Sequence, residues 1–186
     1  SYGQVGDGTT FTRLSPVAVA LSGVALVFVS KSSPFTCVLM QDTLMRCWGL
    51  NDNGQLGDGS YDNSLTPIAV TMPTGVTFSS ITTGFKHTCA LTSSGTAYCW
   101  GKNDSGQLGN GTGIGSTTPT AVTMPTGVTF TAIRNGGAHT CALTSTGTVY
   151  CWGENIYGQL GNNTSDDSAT PVAVVIATVA ASGVVL

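Results

Sequence analysis

Apolar residues along this chain come in short runs, each soon interrupted by Gly, Asn, Asp, Ser or Thr. No stretch sustains the i, i+3, i+4 spacing of an amphipathic helix, so the pattern predicts short strands. Two near-duplicate segments show the rule. Met72-Pro73-Thr74-Gly75 and Met124-Pro125-Thr126-Gly127 are turn signals. Val76, Phe78 and Ile81 follow the first and Val128, Phe130 and Ile133 the second, each set supplying a strand. A second kind of apolar run follows Pro16, Pro67, Pro119 and Pro171, as in Pro67-Ile68-Ala69-Val70. Proline is tolerated at a strand start or on a sheet edge, so each of these runs is expected to be an outer strand opened by its proline.

The runs repeat. Cys37–Gly59 recurs as Cys89–Gly111 and again as Cys141–Asn163, a period of 52 residues, and Ser1–Gly8 is a partial copy. Fixed self-similarity on this scale marks stacked or radial repeats. Within a copy, Thr92 and Thr96 flank Ser93-Ser94-Gly95, a three-residue hairpin loop whose last residue is left-handed. Counting outward pairs Leu91 with Ala97, Ala90 with Tyr98 and Cys89 with Cys99. Directly opposed residues are close enough for a disulfide staple. The same count pairs Cys141 with Cys151, and Cys37 with Cys47, where Gln41-Asp42-Thr43 lacks the glycine. Each repeat is therefore four short strands, and four-stranded units repeated radially make an all-β propeller.

The expected units are residues 23–74, 75–126 and 127–178, three complete four-stranded antiparallel blades within a single propeller, 1–186. Partial blades flank them: residues 1–22 with an outer strand near Pro16–Val19, and residues 179–186 opening a further unit. Because the chain starts and stops inside a repeat, it reads as a fragment of a longer protein. Val17–Ser30 resembles a signal-peptide apolar core, but it follows a copy of the repeat and reads as buried strand. The apolar tail after Val172 is too short for a membrane span.

Composition narrows the function. Only 8% of residues are charged and the net charge is -3, with six basic residues scattered along the chain. Nucleic-acid binding needs clustered cations against phosphates, and none is present. All six cysteines fall in the repeat, without the close Cys or His spacing of a metal site. Three disulfides imply an oxidising compartment, and a secreted or cell-surface location.

His-Thr-Cys-Ala-Leu-Thr-x-x-Gly-Thr-x-Tyr-Cys-Trp-Gly, followed by x-Asn-x-x-Gly-Gln-Leu-Gly, resembles the repeats of the regulator of chromosome condensation family. The match spans nearly the whole chain, with Trp48-Gly49, Trp100-Gly101 and Trp152-Gly153 in register. The resemblance implies a seven-bladed propeller, and the cysteine pairs look like those of secreted bacterial members. It also implies a face used to bind proteins, since members include a nuclear exchange factor, a plant ultraviolet photoreceptor and a secreted β-lactamase inhibitor. The exchange residues find no counterpart here. A photoreceptor would need clustered tryptophans on a face, and the three present all occupy one repeated strand position.

Repeated polar residues read as structural. His87 and His139 precede equivalent cysteines, and Phe35 stands in their place in the first unit. Gln55, Gln107 and Gln159 suit hydrogen bonds to loop backbone. Asp52, Asp58, Asp62 and Asp104 lie among Asn and Gly in turns, without the spacing of a calcium loop. No catalytic constellation, metal site or cofactor cradle stands apart from the repeat. Function must then lie where the copies differ, and exposed aromatic or charged loop residues nominate themselves: Tyr61, Phe85, Lys86, Arg134, Tyr157, Asp166 and Asp167. The expectation is a non-catalytic extracellular scaffold for a protein partner or for self-assembly. A carbohydrate- or cell-wall-binding module is the alternative, weakened because Tyr61 has no aromatic counterpart in the other copies.

Overall fold

A computed structural model describes residues 2–30 and 33–175. Twelve strands form three separate sheets, each a four-stranded antiparallel meander, and no helix occurs among the described residues. Blade 1 contains β1 (Val24–Val29), β2 (Phe35–Met40), β3 (Met45–Gly49) and β4 (Ser64–Ala69). Blade 2 contains β5 (Phe78–Thr83), β6 (His87–Thr92), β7 (Ala97–Gly101) and β8 (Ser116–Ala121). Blade 3 contains β9 (Phe130–Asn135), β10 (His139–Thr144), β11 (Val149–Gly153) and β12 (Ser168–Ala173). β1 touches β5 and β5 touches β9, so the first strands of successive blades converge on one side.

The hairpin register agrees with the count from the sequence: Leu91 opposes Ala97, Ala90 opposes Tyr98, and Cys89 opposes Cys99. Disulfides join Cys37 to Cys47, Cys89 to Cys99 and Cys141 to Cys151, each with Cα atoms 4.1 Å apart. That spacing is typical of the close, non-hydrogen-bonded pair of an antiparallel ladder. Gly95 and Gly147 take the left-handed third position of their hairpins, and in blade 1 that position falls to Thr43 at φ 68°. A β-branched residue is strained there.

Three expectations need correction. The outer strands do not begin at their prolines: Pro67, Pro119 and Pro171 are each the fourth of six residues. They sit in an irregularity, since Ile68 pairs with Cys47 and Ser64 with Gly49, leaving Leu65–Pro67 opposite Trp48 alone. A residue without an N–H costs nothing where the ladder is already broken. Second, residues 2–22 form no strand, so the outer strand expected near Pro16–Val19 is absent. An outer strand needs a third strand beside it, and no described residue supplies one. Third, Val24–Val29 is a strand but not a buried one, with Val27 and Val29 each 64% exposed. The corresponding Ile81 and Ile133 are covered by the preceding blade. The unit expected at 179–186, and Ser32, lie outside the described residues.

The core lies between blades. Leu39, Met45 and the Cys37–Cys47 disulfide of blade 1 pack on Phe78, Ile81, Ala90 and Trp100 of blade 2. Leu91, Ala97 and Cys89–Cys99 of blade 2 pack likewise on Phe130, Ile133, Ala142 and Trp152 of blade 3. The disulfides are thus apolar packing surface as well as staples.

A lock joins successive blades. Trp100 Nε1 donates to the main-chain carbonyl of Gln55 in the preceding blade at 3.1 Å, and Thr88, opposite Trp100, donates to the same oxygen at 2.9 Å. Trp152 and Thr140 do the same to Gln107, and Trp48 and Thr36 to Gln4. Both lone pairs of each carbonyl are used. Gly57 lies so near that a Cβ there would sit 2.5 Å from Trp100 Nε1.

Two expected outcomes follow for calorimetry and denaturant unfolding. Thr43→Gly should raise Tm by roughly 2 °C through release of left-handed strain, whereas Gly95→Ala should lower it, because a Cβ would also meet Phe130 O at 2.8 Å. Replacing Cys89 and Cys99 together by Ala should cost on the order of 2–3 kcal/mol in denaturant unfolding. An unchanged midpoint would remove the staple from the account.

Candidate functional site

Residues shared by the copies are occupied by structure. Gln55, Gln107 and Gln159 accept loop N–H groups two residues earlier, at 2.8, 3.0 and 2.9 Å. Asn51, Asn103 and Asn155 are fully buried struts. Asn103 Oδ1 accepts from Leu108 N, while its Nδ2 donates to the Thr112 and Ile114 carbonyls, and the other two follow suit. Their invariance across copies is visible in the sequence; their role emerges only from the fold.

The blades differ where their first strands end. Phe28, Thr82 and Arg134 oppose the equivalent Cys37, Cys89 and Cys141. Together with Val29, Thr83 and Asn135 they line a cavity of about 420 Å³. Its rim is the two connections that follow, Gly84-Phe85 and Gly136-Gly137. One wall is apolar, one neutral and hydroxylic, and one cationic.

The connections are built to hold that mouth open. Phe85 N donates to Gly137 O at 3.1 Å, tying the loops together. Asn135 N and Nδ2 donate to Thr82 Oγ1 and Thr82 O, tying β9 to β5. Ser30 Oγ donates to Gly84 O at 2.7 Å, bringing in blade 1. Beneath Gly84 lies the His87 ring, where a Cβ would come within 2.3 Å of its Cε1, and His139 lies beneath Gly136 in the same way. The Thr140 hydroxyl donates to Gln107 O, so it accepts from His87 Nε2–H at 3.0 Å. His87 Nδ1 and Asn135 Oδ1 are buried without a partner among the described residues.

Of the nominated residues, Phe85 and Arg134 meet at this cavity. Phe85 is 44% exposed. Arg134 is exposed, and its Nη1 donates to Ile133 O at 2.7 Å; no carboxylate pairs with it among the described residues. Lys86 stands beside Phe85, with Nζ 6.0 Å from the ring centre and 2.7 Å from Asp52 Oδ2. Desolvation alone would raise the Asp52 pKa, but hydrogen bonds from Lys86, Gln55 and Asn53 hold it below the ordinary value. Tyr61, Asp166 and Asp167 lie instead in turns between the third and fourth strands of blades 1 and 3. Tyr61 and Asp166 are exposed, whereas Asp167 Oδ1 accepts Asn155 N at 2.7 Å, as Asn63 does for Asn51. Tyr157 is 86% exposed on the loop after β11. No cluster of His, Cys, Asp and Glu suited to a metal occurs among the described residues.

The architecture is that of a β-propeller repeat protein with loop-borne variation around the axis. Family models for the regulator of chromosome condensation (RCC1) repeat match residues 47–91, 94–143 and 146–183, and a second model of that repeat matches 78–107 and 131–159. The chain belongs to the RCC1 repeat family. It is 33% identical over 173 residues to the ultraviolet-B receptor UVR8 of Arabidopsis thaliana, spanning 92% of this chain and 39% of that protein. It is 34% identical over 173 residues to the human E3 ubiquitin-protein ligase HERC2, spanning 91% of this chain and 4% of HERC2. Among solved structures, Prp20p of Saccharomyces cerevisiae superposes with a TM-score of 0.82 at 22% identity, over 95% of this chain and 45% of that one. Human WBSCR16 gives 0.81 at 23%, over 94% and 46%. The chain therefore spans less than half of each of these proteins.

Burial lowers the His87 pKa from 6.5 to about 3, with a smaller repulsion from His139, and burial lowers His139 as well. The folded chain favours neutral imidazole, so between pH 6.5 and about 3 the unfolded chain binds more protons. Stability should fall as pH drops through that window, by up to about 1.4 kcal/mol per pH unit for His87. His87→Phe, which copies the Phe35 of blade 1, should flatten this slope in urea unfolding at about pH 7 and pH 5. An equal slope in the variant would place the acid sensitivity elsewhere.

Proposed function

We propose that this chain is a non-catalytic protein-binding module whose interaction surface is the axial mouth around Phe85 and Arg134. The observation that carries the reading is the division of labour among residues. Repeated side chains are engaged in locks, struts and inter-blade core, while the non-repeated ends of the first strands meet at one cavity. Large aromatic and arginine side chains at the edge of a concavity are the usual anchors of protein interfaces. Members of the family support the reading by analogy: Prp20p has binding properties towards Gsp1p and histones, and Kap60 has been seen bound to it.

Three disulfides support a working location in an oxidising compartment, outside the cell or on its surface. The low charge and scattered cations support a protein rather than a nucleic-acid partner. Carbohydrate binding would call for aromatic rings at equivalent positions on one face. Tyr61 and Tyr157 occupy non-equivalent loops, and the three tryptophans are buried in the inter-blade locks. Self-assembly through the same mouth would make the partner a second copy.

The test compares immobilised protein with its Phe85→Ala and Tyr61→Ala variants as bait for proteins of the surrounding medium. A protein retained by the parent and by Tyr61→Ala, but lost with Phe85→Ala, is the expected result. Retention unaffected by Phe85→Ala would move the interface away from the mouth.

A further inference from the structure

We infer that the axial cavity is a receptor for a carboxylate, supplied by an Asp or Glu side chain of the bound protein, with Arg134 as its binding group. The inference rests on the protein-binding reading and adds the chemistry of the recognised residue.

Arg134 stands apart from its counterparts. Phe28 and Thr82 occupy the same place in the other blades, so the repeat does not require a cation there. Ion pairs satisfy Arg13, Lys86 and Lys102, each with a nearby aspartate. Arg134 has no such partner among the described residues. Its position is fixed by main-chain contacts instead: Nη1 donates to Ile133 O, and the next residue, Asn135, is bonded twice to Thr82. A guanidinium held by a carbonyl keeps its full charge and its remaining donors, and those donors form a planar fork matched to a carboxylate. Holding the fork in place beforehand lowers the ordering cost of binding.

The rest of the lining suits the same guest. Among the described residues no carboxylate lines the cavity, and Lys86, next to the rim, adds positive potential although Asp52 partly offsets it. Phe28 and Phe85 give apolar surface for the methylene groups that carry an acidic head. The cavity, about 420 Å³, admits a side chain and adjoining backbone. A free dicarboxylate would satisfy Arg134 but would leave the apolar wall uncovered.

The test is an NMR titration of the whole chain, following the Arg134 Nε–H and the Phe85, Asn135 and Gly137 amides. The probes are blocked tripeptides, acetyl-Gly-Asp-Gly-amide and acetyl-Gly-Asn-Gly-amide, with succinate as the small-acid comparison. The Asp peptide should shift these signals in a saturable, salt-sensitive way, and the Asn peptide should bind about tenfold more weakly or not at all. Arg134→Gln should remove the difference between the peptides, Arg134→Lys should restore it in part, and Arg46→Gln, outside this cavity, should leave it intact. Equal binding of the two peptides, or a preference that survives Arg134→Gln in a variant with an unchanged spectrum elsewhere, would overturn the carboxylate assignment whatever the bait experiment shows. Succinate binding as tightly as the Asp peptide would overturn the protein source of the carboxylate. A bait experiment without Phe85-dependent capture, beside an Arg134-dependent Asp-peptide shift, would instead fault the protein-binding reading and leave carboxylate recognition standing.

Discussion

The structure depends on one main-chain carbonyl per blade. The carbonyl of Gln4, Gln55 or Gln107 takes a hydrogen bond from the tryptophan and another from the threonine of the next blade. The donors oppose each other on neighbouring strands, so the hairpin register places both at once. This lock requires a glycine against the indole and an internal strut, the buried asparagine, to shape the loop. Burying an indole N–H without an acceptor is costly, so the loop and the following hairpin must fit together or neither is satisfied. One such interface explains why Trp-Gly and Gly-Gln-Leu-Gly recur together: they are two halves of a contact made between different repeats.

With blades joined in this way, the disulfides have a second role. Each bridges the middle strands of its own sheet, and the sulfur atoms of blades 1 and 2 join the apolar layer facing the following blade. A chain with 8% charged residues has few ion pairs to draw on, and surface pairs contribute little in any case. Cohesion comes from inter-blade packing, the carbonyl locks and the staples. The edges show the dependence: Val27 in blade 1 and Leu143 in blade 3 are well exposed, while Ile81 and Leu91, at corresponding positions within the stack, are buried.

Much of this is legible in the sequence. The period, the four-strand unit and the cysteine register follow from spacing and from turn chemistry at Gly95 and Gly147, because hairpin geometry is local. The starts of the outer strands are not legible, since a proline in the middle of a strand is allowed only by a bulge, and bulges leave no mark in the pattern. The strand expected near Pro16 fails because strand formation depends on a neighbour, not on the apolar run alone. The buried reading of Val24–Val29 fails likewise, since burial there is conferred by an adjoining blade. For the site, difference between repeats is the useful signal: it nominates Phe85 and Arg134, which the fold brings together. It also nominates Asp167, which proves to be a turn residue bonded to Asn155 N, as Asn63 is to Asn51. A count of differences cannot separate a substitution that preserves a turn from one that alters a surface.

Repetition confines where function can reside. A position facing a neighbouring blade must satisfy the lock and the packed layer, so its residue type is fixed by contacts that are the same in every copy. The ends of the first strands escape that constraint, because each faces the axis, where the blades meet as a group and identity between copies is not demanded. Phe28, Thr82 and Arg134 could diverge there without disturbing any lock. The His87 and His139 rings support the loops just behind, keeping Gly84 and Gly136 in place as the lining residues change. Rigid, repetitive support beneath a variable rim lets a binding surface alter its charge and shape at little cost to stability, which is why the axial mouth is the place in this fold where recognition can develop.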